Sequence, residues 1–240
     1  MLFACLSMIL FSGCAAMFPA SPSTGKSGSM ARFTVAGNFM YAVSDAELHI
    51  FNLENRSRPQ LVQVLDIGRG IETIFSYKDL LFFGTTTGMI IYNIEDPQEP
   101  QYVSEFRHVY SCDPIVVENG YAYVTLRSQS RCRNGNNMLQ VFDIKDPTEP
   151  ILIKSYPMKN PWGLGIDHKE LFVCDGRFGL KRFDANDPEH LMLVETVENI
   201  NGYDVIPTDH ILIVSARDGI YQYDYSTNQL KKLSRIPVGY

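Results

Sequence analysis

The sequence has one tryptophan and five cysteines in 240 residues. It has no Cys-x-x-Cys, no His-Glu-x-x-His and no Gly-x-Ser-x-Gly. These absences remove the short signatures of zinc sites, helical metalloprotease centres and the hydrolase nucleophile turn. The histidines, His49, His108, His168, His190 and His210, share no metal-ligand spacing. No metal or cofactor is expected, and no catalytic residue is assigned. Positive charge is in deficit as well: the formal net charge is -6 and the isoelectric point is near 5.4. Nucleic-acid binding rests on a clustered basic surface, so no nucleic-acid partner is expected. No segment keeps a 3.6-residue apolar period long enough for a helix. No apolar run approaches the roughly 20 residues of a membrane-crossing helix. Leu2 to Phe11, apolar apart from Ser7, has instead the length of a signal-peptide core.

What is present is aromatic and repetitive. Thirteen Tyr and fourteen Phe favour strands. The stretch "IYNIEDPQEP", Ile91 to Pro100, returns as "VFDIKDPTEP", Val141 to Pro150. Short apolar strands closing on Asn or Asp recur five times, at Asn52, Asn93, Asp143, Asp184 and Asp224. The steps are 41, 50, 41 and 40 residues, and the long one contains the insert "SQSRCRNGNN", Ser128 to Asn137. The closing Asp or Asn accepts hydrogen bonds from backbone donors two residues on, and the prolines set the turn and end the ladder. The Asp-Pro sentence is therefore punctuation; it lacks the Gly and distal Glu of a calcium loop.

Each unit holds four strand candidates, for example "TIFS", "LLFFGT", "MIIYNI" and "QYVSEF" in the second. Four antiparallel strands repeated every 40 to 50 residues predict an all-β chain, a five-bladed β-propeller of four-stranded antiparallel blades. Near-continuous apolar strands such as "LLFF" and "ILIV" fit sheets covered on both faces. The blades are expected at about 31–66, 71–106, 113–156, 163–196 and 203–236, within a domain spanning 31–240. The ring is expected to close by packing of blade on blade, with no strand shared between the ends. The alternatives are part of a longer ring, or an extra strand from the N-terminal tail.

The unit "YAYVTL…LQVFDIKDPTEPILIKSYP" resembles the LVIVD repeat of bacterial and archaeal cell-surface proteins, which implies a β-propeller and no defined activity. The resemblance runs over residues 31 to 236; it weakens at "NLENRSRP" and at "DYSTNQL". "FSGC", Phe11 to Cys14, resembles the lipobox of bacterial lipoprotein signals. It implies a signal peptide over 1–13, lipidation of Cys14, export to the cell envelope and a membrane held through the lipid anchor. Residues 14–30, rich in Pro, Ser and Gly, read as anchor and linker. Their "STGKS" lacks the first Gly of a phosphate loop, Ala20 standing in its place.

Loops entering the first strand of each blade and those joining strands two and three emerge on one face. Register places Glu72, Asp113, Trp162 and Tyr203 at equivalent points of the channel mouth, with Asp204 adjacent. Arg127, Arg131 and Arg133 make the insert basic on an acidic protein, a charge that suits an anionic partner. Cys112 and Cys132 lie in two loops of that face. In an exported protein a Cys112–Cys132 disulfide would pin the insert, worth roughly 3 kcal/mol in the chain-entropy model. Cys174 reads as a packed thiol, and His168 and His210 as surface turn residues of the opposite face. Two functions follow. The first is a binding or scaffold module of the envelope, its partner an unidentified protein or glycan. The second is an enzyme of the mouth, using Glu72, Asp113 or Asp204 as acid, base or ligand.

Overall fold

A computed structural model describes residues 28–107, 114–128 and 136–239. The expected signal peptide, the Cys14 anchor, Cys112, Asp113, Arg131, Cys132 and Arg133 lie outside these residues. Every described element is a strand. Blade 1 is β1 (Phe33–Ala36), β2 (Phe39–Val43), β3 (Glu47–Asn52) and β4 (Gln60–Asp66). Blade 2 is β5 (Ile71–Tyr77), β6 (Leu80–Thr85), β7 (Gly88–Asn93) and β8 (Gln101–Arg107). Blade 3 is β9 (Ile115–Glu118), β10 (Tyr121–Leu126), β11 (Met138–Asp143) and β12 (Ile151–Pro157). Blade 4 is β13 (Leu164–Asp167), β14 (Glu170–Cys174), β15 (Leu180–Asp184) and β16 (Met192–Val197). Blade 5 is β17 (Gly202–Thr208), β18 (Ile211–Ala216), β19 (Gly219–Asp224) and β20 (Lys231–Pro237). Each blade is an antiparallel sheet in chain order, and no strand is shared between blades. The expected five-bladed propeller of four-stranded blades is the observed fold.

The repeated sentence works as turn chemistry. Side-chain oxygens of Asn52, Asn93, Asp143, Asp184 and Asp224 each accept the backbone N–H two residues on, at 2.7–2.9 Å. Asp96, Asp146 and Asp187 repeat the device three residues later in the chain. The turn also stitches neighbouring blades. Tyr41 donates its hydroxyl proton to the Pro97 carbonyl, Ser104 to that of Pro147 and Tyr156 to that of Glu189, and Arg182 donates to the carbonyl of Thr227. Each bond runs from one blade to the punctuation turn of the next.

Apolar packing fills four seams. Tyr41, Leu48 and Ile50 meet Ile74, Leu81 and Phe83 between blades 1 and 2. Phe82 and Ile91 meet Ile115 and Val124 between blades 2 and 3. Val116, Leu139 and Val141 meet Leu164, Leu171 and Val173 between blades 3 and 4. Phe172 and Cys174 meet Val205, Leu212 and Val214 between blades 4 and 5. Inner strands β1, β5, β9, β13 and β17 lie side by side in that order.

Among the described residues no such cluster joins blade 5 to blade 1. β6 and β10 are buried on both faces, whereas β18 and β19 alternate buried and accessible residues. Ile220 and Ser215 pair on the face of blade 5 turned from blade 4 and are both exposed. Phe33, on the face of blade 1 turned from blade 2, is 54% exposed. Among the described residues, then, the expected blade-on-blade packing is not seen at this seam. A turn at Gly28–Ala31 ties the blades instead. The Ser29 hydroxyl donates to Asp204 in β17 and accepts the N–H of Leu164 in β13. The Ala31 carbonyl accepts the N–H of Ile74 in β5. Ser29 is fully buried, although its segment has the composition of a tether.

Candidate functional site at the channel mouth

Two of the expected mouth residues sit on matching bulges. In β5, Ile71 pairs with Thr85 and Thr73 with Gly84, which leaves Glu72 outside the ladder. In β17, Gly202 pairs with Ala216 and Asp204 with Ser215, which leaves Tyr203 outside it. A bulge bends its strand and re-aims the extra side chain, so the same irregularity turns both residues away from the regular pleat.

Trp162 enters just before β13. Its N–H donates to the Cys174 carbonyl (2.7 Å), and its own carbonyl accepts the Thr125 hydroxyl (2.5 Å). The loop that delivers it is organised by Asp175, fully buried, which accepts the Asn160 N–H at 2.7 Å and the Lys181 ammonium at 2.5 Å. Trp162 and Tyr203 then meet at 4.9 Å between ring centroids, tilted by 56°. The Arg127 guanidinium lies 3.5 Å from the centre of the Trp162 ring. Burial holds the Arg127 pKa below its usual value, and the charge of Glu72 opposes that fall. Four side chains from blades 2, 3, 4 and 5 thus form an arc of carboxylate, guanidinium, indole and phenol. The indole Nε1 is buried and has no hydrogen-bond partner.

Trp162 contacts both a cation and a phenol ring, and the charged groups this arc offers are the Arg127 guanidinium and the Glu72 carboxylate. A guanidinium stacked on an indole keeps its N–H edges for a planar anion.

Asp204 has a different fate. Its carboxylate accepts the Ser29 hydroxyl at 3.1 Å, the Met30 N–H at 3.4 Å and its own neighbour Val205 N–H at 3.0 Å. Burial lifts its pKa to about 6, and these hydrogen bonds hold the rise in check. Gly163 and Gly28 press against it; a Cβ on Gly163 would stand 2.0 Å from Oδ1. Asp204 therefore fastens the N-terminal turn. Cys174, behind it, is a free thiol with no exposure, its pKa raised by that burial. Among the described residues no group of three His, Cys, Asp or Glu side chains is placed to hold a metal ion.

Ser29, Thr125 and Asp175 were not read from the sequence. Ser29 is hidden by its Ser- and Gly-rich surroundings, and Thr125 looks like any strand threonine. Asp175 carried a signal: an acid directly after an apolar strand and before a Gly turn, the place where loop N–H groups need an acceptor.

Residues 27–66 and 111–157, covering blades 1 and 3, match the LVIVD repeat. No curated protein matches the chain. Several solved structures share its fold. A functionally unknown protein from Desulfotomaculum acetoxidans is 13% identical, with a TM-score of 0.66 over 90% of this chain and 69% of its own. The periplasmic gluconolactonase PpgL of Pseudomonas aeruginosa is 16% identical, with a TM-score of 0.62 over 85% and 68%. BamB of Moraxella catarrhalis is 12% identical, with a TM-score of 0.59 over 87% and 62%. At these identities the likeness is one of fold, and this chain spans 62–69% of those three proteins' lengths.

Proposed function

We propose that this β-propeller with LVIVD repeats is a binding module of the cell envelope, which captures an anionic protein or glycan at its channel mouth. The observation that carries the reading is Arg127: half-buried, stacked on Trp162, and facing Glu72 from the next blade. A half-buried guanidinium held rigid by an aromatic plane costs little ordering entropy when it binds an anion. Export, lipidation of Cys14 and a Cys112–Cys132 bridge belong to the same reading. The anchor would hold the module at a membrane, and the bridge would fix the basic insert beside Arg127. Asp204, one of three carboxylates that an enzyme of the mouth would use, is covered by Ser29, which weighs for binding over catalysis.

Capture from the native envelope tests it. Wild type and Arg127→Ala are compared as baits at low and physiological salt, with fatty-acid labelling of wild type against Cys14→Ser in parallel. Arg127→Ala is expected to lower recovery of the captured partner at least tenfold, corresponding to one charge-assisted contact of about 1.5–3 kcal/mol. Wild-type recovery is expected to fall as salt rises. Equal recovery by both baits at both salts removes the reading.

A further inference from the structure

The repeat supplies an internal control for every seam. The residue two before the closing Asp or Asn is Ile50, Ile91 and Val141 in blades 1, 2 and 3, each wholly buried against the next blade. In blade 4 it is Arg182, 4% exposed. The first residue of the second strand is Phe39, Leu80 and Tyr121 in blades 1 to 3, and Glu170 in blade 4. Where three seams hold apolar pairs, the seam between blades 4 and 5 holds an ion pair, Arg182 Nη2 to Glu170 Oε1 at 2.6 Å. Arg182 also reaches the turn of the next blade, a task that Tyr41, Ser104 and Tyr156 perform elsewhere without a charge. Glu170 has no counterpart, and its Oε2 has no hydrogen-bond partner. Arg182 is buried and Glu170 half-buried, and an ion pair taken partly out of water is seldom more stable than the apolar pair it replaces, so its presence here asks for a use.

The turns of the same two blades break a second local rule. Both central residues of each two-residue hairpin have positive φ: His168 and Lys169 at 48° and 66°, Asp209 and His210 at 44° and 64°. Such turns favour Asn-Gly, which the third blade supplies as Asn119-Gly120. Here the strain is borne by bulky residues. Its result is two imidazoles from adjacent blades, stacked 6.4 Å apart at 24°. Beside them lies a cleft of about 140 Å³ lined by Asp167, Glu170, Arg182, Tyr225 and the two histidines, with Ser226–Asn228 at its edge. The Tyr225 hydroxyl donates to Asp167 at 2.6 Å across the seam.

We infer that this cleft, on the face opposite the mouth, is a second binding site that takes a single polyhydroxylated ring, a monosaccharide or cyclitol. The volume admits about one such ring. Carboxylate acceptors alternate with imidazoles that donate and accept, which suits hydroxyl groups able to do both. Arg182 neutralises Glu170, and Asp167, the other carboxylate of the lining, accepts the Tyr225 hydroxyl, so the cleft keeps hydrogen-bonding acceptors with little net charge for its size. The inference stands independently of the mouth.

The test uses saturation-transfer proton NMR on the full chain with glucose, galactose, mannose and myo-inositol at millimolar concentration. Agmatine and inorganic phosphate serve as the cationic and anionic arms. Two variants probe the cleft. His168→Asn with His210→Gly gives the turns residues that accept positive φ, so its Tm is expected at or above wild type. Glu170→Gln keeps the shape of the floor. At least one sugar or cyclitol is expected to show transfer with wild type and with Trp162→Ala at the mouth, and to lose it in both cleft variants. No transfer to any of the four, transfer that survives both variants, or transfer to agmatine or phosphate alone overturns the inference.

Discussion

Asp204 is a buried carboxyl whose charge state bears on the fold. Its carboxyl is pushed from 3.8 up to about 6 by burial. Below about pH 4 it is protonated in folded and unfolded chains alike. Between about 4 and 6 the unfolded chain releases the proton while the folded chain keeps it, so this group's contribution to stability falls as pH rises. Above about 6 the loss is complete, at most about 3 kcal/mol for this shift. Asp204→Asn cannot titrate. Urea unfolding of both proteins at pH 4 and pH 7 is expected to show the variant gaining on wild type at the higher pH; a constant difference removes the account. At a punctuation residue the scale is smaller. Asp143→Ala removes the acceptor for the Lys145 N–H (2.9 Å) and for its ammonium (3.0 Å). It is expected to cost about 1 kcal/mol in the same measurement, with no change at the mouth.

At the scale of the element, what the sequence made legible was whatever a single blade determines. The closing Asp or Asn and the apolar strands are local signals present in all five units, the prolines recur in most of them, and the repetition averages out the noise. Register alone placed Trp162 and Tyr203 at equivalent points, and the rings meet at 4.9 Å. What escaped depends on two blades at once. Arg127 lies on Trp162 because the end of β10 and the loop before β13 converge, and nothing in either segment announces the other. Ser29 reads as linker because its burial is decided by Asp204, 175 residues away. His168 and His210 are turn residues, as their sequence context indicates, yet their stacking arises only when blades 4 and 5 are side by side. The seam that lacks a cluster among the described residues has an exposed Gln222 in the place of Ile50, Ile91 and Val141, whereas Arg182, at the same place in blade 4, is buried against blade 5.

For the whole molecule, stability is set by seams more than by blades. Blades 2, 3 and 4 each join two apolar clusters, and blades 1 and 5 join one. A sheet supported on one side opens at lower free energy than one held on both. Amide hydrogen exchange is therefore expected to be slowest in β6, β10 and β14 and faster in β2 and β18, although all five are second strands of their blades. Uniform protection across the five would show that blade 5 and blade 1 are sealed as tightly as the rest.

A circlet fastened by a clasp behaves differently from a solid hoop. Its diameter can change without tearing any joint, because the bending is taken up where the band is split. Here the clasp is the turn whose Ser29 hydroxyl and Met30 N–H meet the Asp204 carboxylate, set beside the arc that Glu72, Arg127, Trp162 and Tyr203 form across four blades. Loosening Ser29 from Asp204 is therefore expected to change the spacing of these four side chains.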